Sequence, residues 1–148
     1  MTLTLPPAPA WTFGPVTRTD IVRYQGASGD FNPIHHDDEF AQAAGYPGVF
    51  SAGMFQAGLL ASYASTWLGA RNLRRYRMRF QEQVWPGDTL TFFGRLTEVS
   101  NDADAIRALV ALECRRDTGA PVVMATARFE ISTHPMVDDA MPSSTQNG

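Results

Sequence analysis

Residues 52–68 read AGMFQAGLLASYASTWL, seventeen positions without a formal charge. Apolar or small side chains recur on every side of this stretch, and a helix that is apolar all round is buried in a protein or a membrane. Gln56, Ser62, Ser65 and Thr66, with a length just short of a bilayer span, favour the protein interior. The small residues Ala57, Gly58, Ala61, Ser62, Ala64 and Ser65 leave room for a bulky acyl chain or let a sheet approach closely. Close packing is the simpler account.

Downstream of this helix the period changes to two. Arg75-Tyr76-Arg77-Met78-Arg79-Phe80 alternates charge with bulk, which predicts a strand with one wet and one packed face. Pro86-Gly87-Asp88 turns the chain, and further strands are predicted over 89–99, 105–116 and 121–132, with Asp117-Thr118-Gly119 as a hairpin turn. Upstream, residues 11–16 suit a short strand. Thr17 and Asp20 resemble a capping box opening a helix over 18–27, with Ile21, Val22 and Tyr24 partly buried. Asp37 suits the N-cap of a two-turn helix that closes near Gly45. These elements predict an α+β fold, an antiparallel sheet of at least four strands wrapped around one long buried helix. The single domain spans 11–133, between a flexible proline-rich arm (1–10) and a disordered polar tail (134–148).

With 148 residues, one domain can bury roughly 70% of its unfolded surface and needs no disulfide or metal staple. Cys114 is the only cysteine, so no internal disulfide forms and a reducing, cytoplasmic setting fits. Neither a signal peptide nor an apolar run of spanning length is present, which predicts a soluble, non-exported protein without a membrane partner. A net charge of −3 argues against nucleic acid as a partner. Every basic residue is arginine, however, and five of the 12 fall between Arg71 and Arg79.

The stretch GDFNPIHH (residues 29–36) holds the chemistry. Asp30 and His35 are five positions apart, an offset of about 140° on a helix, so they converge only if the chain turns between them. Asn32-Pro33 supplies that turn, since proline stops helical continuation and biases Asn32 toward extended geometry. A carboxylate and an imidazole on one side of a turn make a general acid–base pair, and imidazole titrates near neutrality. A polar helix cap and a metal site built on His35, His36, Asp37 and Asp38 are the alternatives. Metal ligation lacks a second histidine or cysteine cluster, His134 lying in the tail.

ASGDFNPIHHDDEFAQAAG, followed by a bend and AGM at the start of an apolar helix, resembles the MaoC-like dehydratases, the (R)-specific enoyl-CoA hydratases of the hot-dog fold. The likeness runs from about Val16 to Ile131 and includes FQEQVWPGD. It implies reversible syn hydration of a trans-2-enoyl thioester to an (R)-3-hydroxyacyl thioester, with no cofactor beyond the coenzyme A of the substrate. Carried over, Asp30 and His35 are the catalytic pair, Ser28 and Asn32 shape their turn, and the Gly53 amide is the oxyanion hole. One departure stands out: the family often has His-Gly-Met where this chain has Ala52-Gly53-Met54, so only the amide is retained. Arg75, Arg77 and Arg79, on one strand face, are candidates for the nucleotide and pyrophosphate of coenzyme A, or simply form a solvated face.

Hot-dog thioesterases often carry an acid on the central helix, and residues 52–68 contain none. The resemblance implies a homodimer, because a lone unit leaves sheet edges and an open tunnel. A heteromer with another hot-dog subunit, acting on bulky or long acyl groups carried by coenzyme A or a carrier protein, is the other arrangement.

Overall fold

A computed structural model describes residues 4–133. In chain order the elements are β1 (Trp11–Phe13), α1 (Arg18–Ser28), a 3-10 turn (Pro33–His35), α2 (Asp38–Ala43), α3 (Gly53–Leu68), a second 3-10 turn (Ala70–Asn72), β2 (Leu73–Phe80), β3 (Leu90–Asn101), β4 (Ala105–Arg116) and β5 (Pro121–Ser132). The strands form one antiparallel sheet in the order β1-β3-β4-β5-β2. The expected tail, residues 134–148, lies outside the described residues.

α3 packs along one face of this sheet. Its inward line, Gln56, Ala57, Leu60, Tyr63, Ala64, Trp67 and Leu68, is buried. Leu60 and Tyr63 meet Phe92 of β3, Val110 and Leu112 of β4, and Ala127 and Phe129 of β5 in one core. Gly94 permits the approach, since a Cβ there would lie 2.7 Å from the Trp67 ring and 3.1 Å from that of Tyr63. The helix is not buried all round, contrary to the expectation from its composition. Met54, Gly58, Ser62 and Thr66, spaced by four, form an exposed stripe. The sheet covers only one side of α3, and small side chains at three of these positions expose little apolar surface.

The proline-rich arm is tied down where it is described. Trp67 Nε1 donates to the Pro6 carbonyl (2.8 Å), Tyr63 Oη donates to that of Pro9 (3.1 Å), and Leu5 and Ala8 pack on the core. Two buried aromatic donors need acceptors, and the arm supplies them. In α1 the capping box forms as read, with Thr17 Oγ1 accepting from Asp20 N and Asp20 Oδ2 from Thr17 N. Ile21 and Gln25 face inward, whereas Val22, expected to be partly buried, is 53% exposed. It lies one residue, or about 100°, off the inward line.

Candidate active site

The chain between α1 and α2 is held by short-range polar contacts that its residue types dictate. Gly29 closes α1 at φ +74°, donating its N–H to the Gln25 carbonyl (2.9 Å). Ser28 Oγ accepts from Asp30 N at 3.3 Å. Asn32 caps the 3-10 turn: its Oδ1 accepts from Ile34 N (3.1 Å) and its carbonyl from His35 N (3.1 Å), with Pro33 at the first helical position. Asp37 Oδ1 accepts from Phe40 N (3.1 Å) and starts α2.

These turns bring Asp30 and His35 together. His35 Nε2 lies 3.8 Å from Asp30 Oδ2, the histidine side chain 10% exposed and the aspartate 45%. On its other side, His35 Nδ1 is 2.7 Å from the Phe50 carbonyl. A carbonyl only accepts, so Nδ1 carries a proton, and in the neutral ring Nε2 is the acceptor facing Asp30. The Phe50 ring stands edge-on to the imidazole at 5.3 Å and holds its plane. A separation of 3.8 Å is too long for a direct bond. It suits an oxygen held about 2.8 Å from both groups.

Phe50 also ties this pair to α3. With Ser51, Gly53, Gln56 and Phe80 it lines a hollow of about 190 Å³ at the helix N-terminus. Ala52 offers no side-chain cap, and no described group accepts from the Gly53 amide. A Cβ at position 53 would meet the Phe80 ring at 3.0 Å, so glycine lets that ring pack against the start of α3. Ser51 Oγ donates to Gln56 Oε1 (2.9 Å), satisfying two buried polar groups behind the hollow.

Arg75, Arg77 and Arg79 are not part of this cluster. Strand alternation turns Tyr76 and Met78 to the core and the three arginines to the opposite face of the sheet. Phe80, in phase with Tyr76 and Met78, is the β2 residue that reaches Gly53.

Sequence reasoning missed Gln25. It is 2% exposed, and its Nε2 donates to the carbonyls of Asp30 (2.8 Å) and Asn32 (3.2 Å). Its Oε1 lies 3.2 Å from His36 Nδ1, which gives His36 a structural partner beside the catalytic candidate. The available signal was a polar residue on the line of Ile21, one turn before Gly29. Among the described residues, no three His, Cys, Asp or Glu side chains converge as metal ligands.

Residues 11–113 match the family described as MaoC like domain. The chain belongs to the MaoC-like dehydratase family. It is 29% identical over 92 residues (62% of this chain, 71% of the other) to the 3-oxo-4,17-pregnadiene-20-carboxyl-CoA hydratase beta subunit of Mycobacterium tuberculosis. It is 28% identical over 110 residues to fatty acid synthase subunit beta of Saccharomyces cerevisiae, 72% of this chain but only 5% of that protein's length. Among solved structures it resembles the ChsH1-ChsH2 complex of M. tuberculosis, with TM-score 0.74, 27% identity, and coverage of 88% of this chain and 99% of that one. The fold also matches the (R)-hydratase of A. caviae, with TM-score 0.75, 20% identity, and coverage of 88% and 99%. The hot-dog architecture expected from the motif is thus the observed one. No helix among the described residues is long and apolar enough to cross a membrane.

Proposed function

We propose that this MaoC-like domain is a hydro-lyase that reversibly hydrates trans-2-enoyl thioesters to (R)-3-hydroxyacyl thioesters. The observation that carries the reading is the Asp30–His35 pair, 3.8 Å apart across the Asn-Pro turn, with the far nitrogen of the imidazole fixed on the Phe50 carbonyl. A water held between them gives its oxygen to C3 and a proton to Asp30. His35 orients that water, and the pair returns a proton to C2 on the same face. As the C2–C3 double bond is consumed, negative charge develops on the thioester oxygen. The unpaired Gly53 amide, at the positive end of α3, suits that charge. The addition of water is redox-neutral, so no cofactor is required.

The hollow at Gly53 is smaller than the roughly 300–1,000 Å³ usual for ligand sites. A second hot-dog subunit would complete the acyl tunnel, and the likeness to a hydratase beta subunit supports that assembly. Coenzyme A is the proposed carrier and the cytoplasm the proposed setting.

The test is incubation with crotonyl-CoA and a longer or branched enoyl-CoA, following loss of the conjugated thioester absorbance and the configuration of the product. Formation of the (R)-3-hydroxyacyl thioester is the expected result. An (S)-product overturns the mechanism, and release of free thiol without hydration indicates a thioesterase.

A further inference from the structure

β2 ends the sheet, so among the described residues its outward backbone groups have no ladder partner. Eight residues of open edge form a template for another strand. On the other side of the sheet β1 covers only Leu90–Phe92 of β3, so among the described residues the rest of β3 is a second open edge. The chemistry of the β2 edge is unusual. Arg75, Arg77 and Arg79 are exposed on its outer face, and the cross-strand neighbour of Arg75 is another exposed arginine, Arg128. Like charges directly opposite destabilise a sheet. Elsewhere on the sheet most other arginines have acids, Arg107 with Asp102 and Glu130, Arg115 with Glu113 and Arg116 with Asp88, and among the described residues Arg95 of β3 is the exception. Among the described residues, no carboxylate lies within salt-bridge distance of Arg75, Arg77, Arg79 or Arg128.

Two identical sheets joined at this edge must be related by a two-fold axis perpendicular to the sheet. The strands then run antiparallel, and opposite residues present their side chains on the same face. Centred on Arg77, such a pair sets Arg77 against its own copy and Arg75 against Arg79 of the second chain. A shift of two residues still opposes Arg75 and Arg77. Each register stacks cations with Cβ atoms about 5 Å apart, beside the Arg75–Arg128 pair already present in each chain.

We propose that the β2 edge rejects a second copy of this chain and accepts a different hot-dog subunit whose facing edge strand carries carboxylates at alternate, outward positions. This rests on the reading that the fold completes its site by pairing subunits, and it names the chemistry of the partner. The unpaired arginines are then interface residues that select the partner by charge.

The test reads mass, not activity, so it stands whether or not the hydratase reading does. The full chain and R75E/R77E/R79E are each run alone and mixed one to one by sedimentation, at about 50 mM and 500 mM salt. Exchange from like to opposite charge at two or three cross-strand pairs makes the mixed dimer at least about tenfold tighter than either self-dimer, with the preference falling at high salt. A wild-type chain that dimerises at low salt as tightly as the mixture overturns the proposal. So does a wild-type dimer that forms only on adding inorganic phosphate or coenzyme A, which would assign the arginines to anion binding. Circular dichroism checks the fold of the variant. Should the glutamates prevent folding, R75Q/R77Q/R79Q is expected to gain self-association over wild type, and no gain refutes the charge argument.

Discussion

Gln25→Ala tests how the catalytic turn is held. The amide makes three contacts, to the carbonyls of Asp30 and Asn32 and to His36 Nδ1, at 2.8, 3.2 and 3.2 Å. A typical protein hydrogen bond contributes about 0.5–1.5 kcal/mol net, and the two longer contacts fall at the lower end. Asp30 and Asn32 are exposed, so water can reach their freed carbonyls and the full desolvation penalty does not apply. The expected loss is about 2 kcal/mol. With a urea m-value of ~2 kcal/mol per molar, the unfolding midpoint falls by about 1 M at unchanged slope. Because the backbone released is that of Asp30 itself, hydration of crotonyl-CoA should lose about tenfold or more in kcat with little change in KM. Gln25→Glu sharpens the test. It replaces a donor by a carboxylate facing two carbonyls, which favours the protonated form. The variant should therefore be least stable near pH 7 and recover as the pH falls and an O–H donor returns. A Gln25→Ala protein within about 0.5 kcal/mol of wild type and with full kcat, or a Gln25→Glu protein equally stable at pH 5 and 7, refutes this role.

Gly94→Ala would drive a Cβ into the buried rings of Trp67 and Tyr63, which cannot swing aside. An overpacking cost of about 1–3 kcal/mol is expected, seen as a lower Tm. Burial, and secondarily the Glu113 charge, push the Cys114 thiol from 9.0 up to about 12. The folded state thus retains a proton that the unfolded chain loses, so stability should fall as pH rises between about 9 and 12 and be unaffected by this group below. The midpoint of urea unfolding against pH measures it, with Cys114→Ala as the control whose alkaline loss is smaller. Thr17→Ala removes the α1 cap and should cost about 1 kcal/mol in denaturant unfolding. Hydrogen bonds from Thr17 hold the Asp20 carboxyl below its usual range. Its contribution is present above the unfolded value, so the difference between wild type and variant should shrink as pH falls through the carboxylate range.

The elements that a local pattern encodes were legible in the chain. Alternation marks β2, the turns at 86–88 and 117–119 set off the later strands, the Thr17–Asp20 box marks the start of α1, and the uncharged run marks α3. The turn at Asn32-Pro33 followed from proline sterics alone. Features set by distant parts of the chain were not. The strand order sends β2 to the edge beside β5, and only that topology shows its arginines turned from the Gly53 hollow. The arm is anchored by Tyr63 and Trp67, 54 and 61 positions from their acceptors, which no local pattern signals. The uncharged run also hid the exposed stripe on α3, because small residues suit both a packed interface and an uncovered one. Gln25 was hidden for a related reason, since its acceptors are backbone carbonyls that carry no sequence signature.

The most direct measurement is the hydration rate of crotonyl-CoA by Asp30→Asn, alongside its urea midpoint. The carboxylate is 45% exposed and its loss leaves the fold intact, so the midpoint should stay near wild type. The amide cannot take a proton from water, and kcat should fall by about 10²-fold or more. A folded Asp30→Asn protein that hydrates within about twofold of the wild-type rate would contradict the acid–base role of the pair.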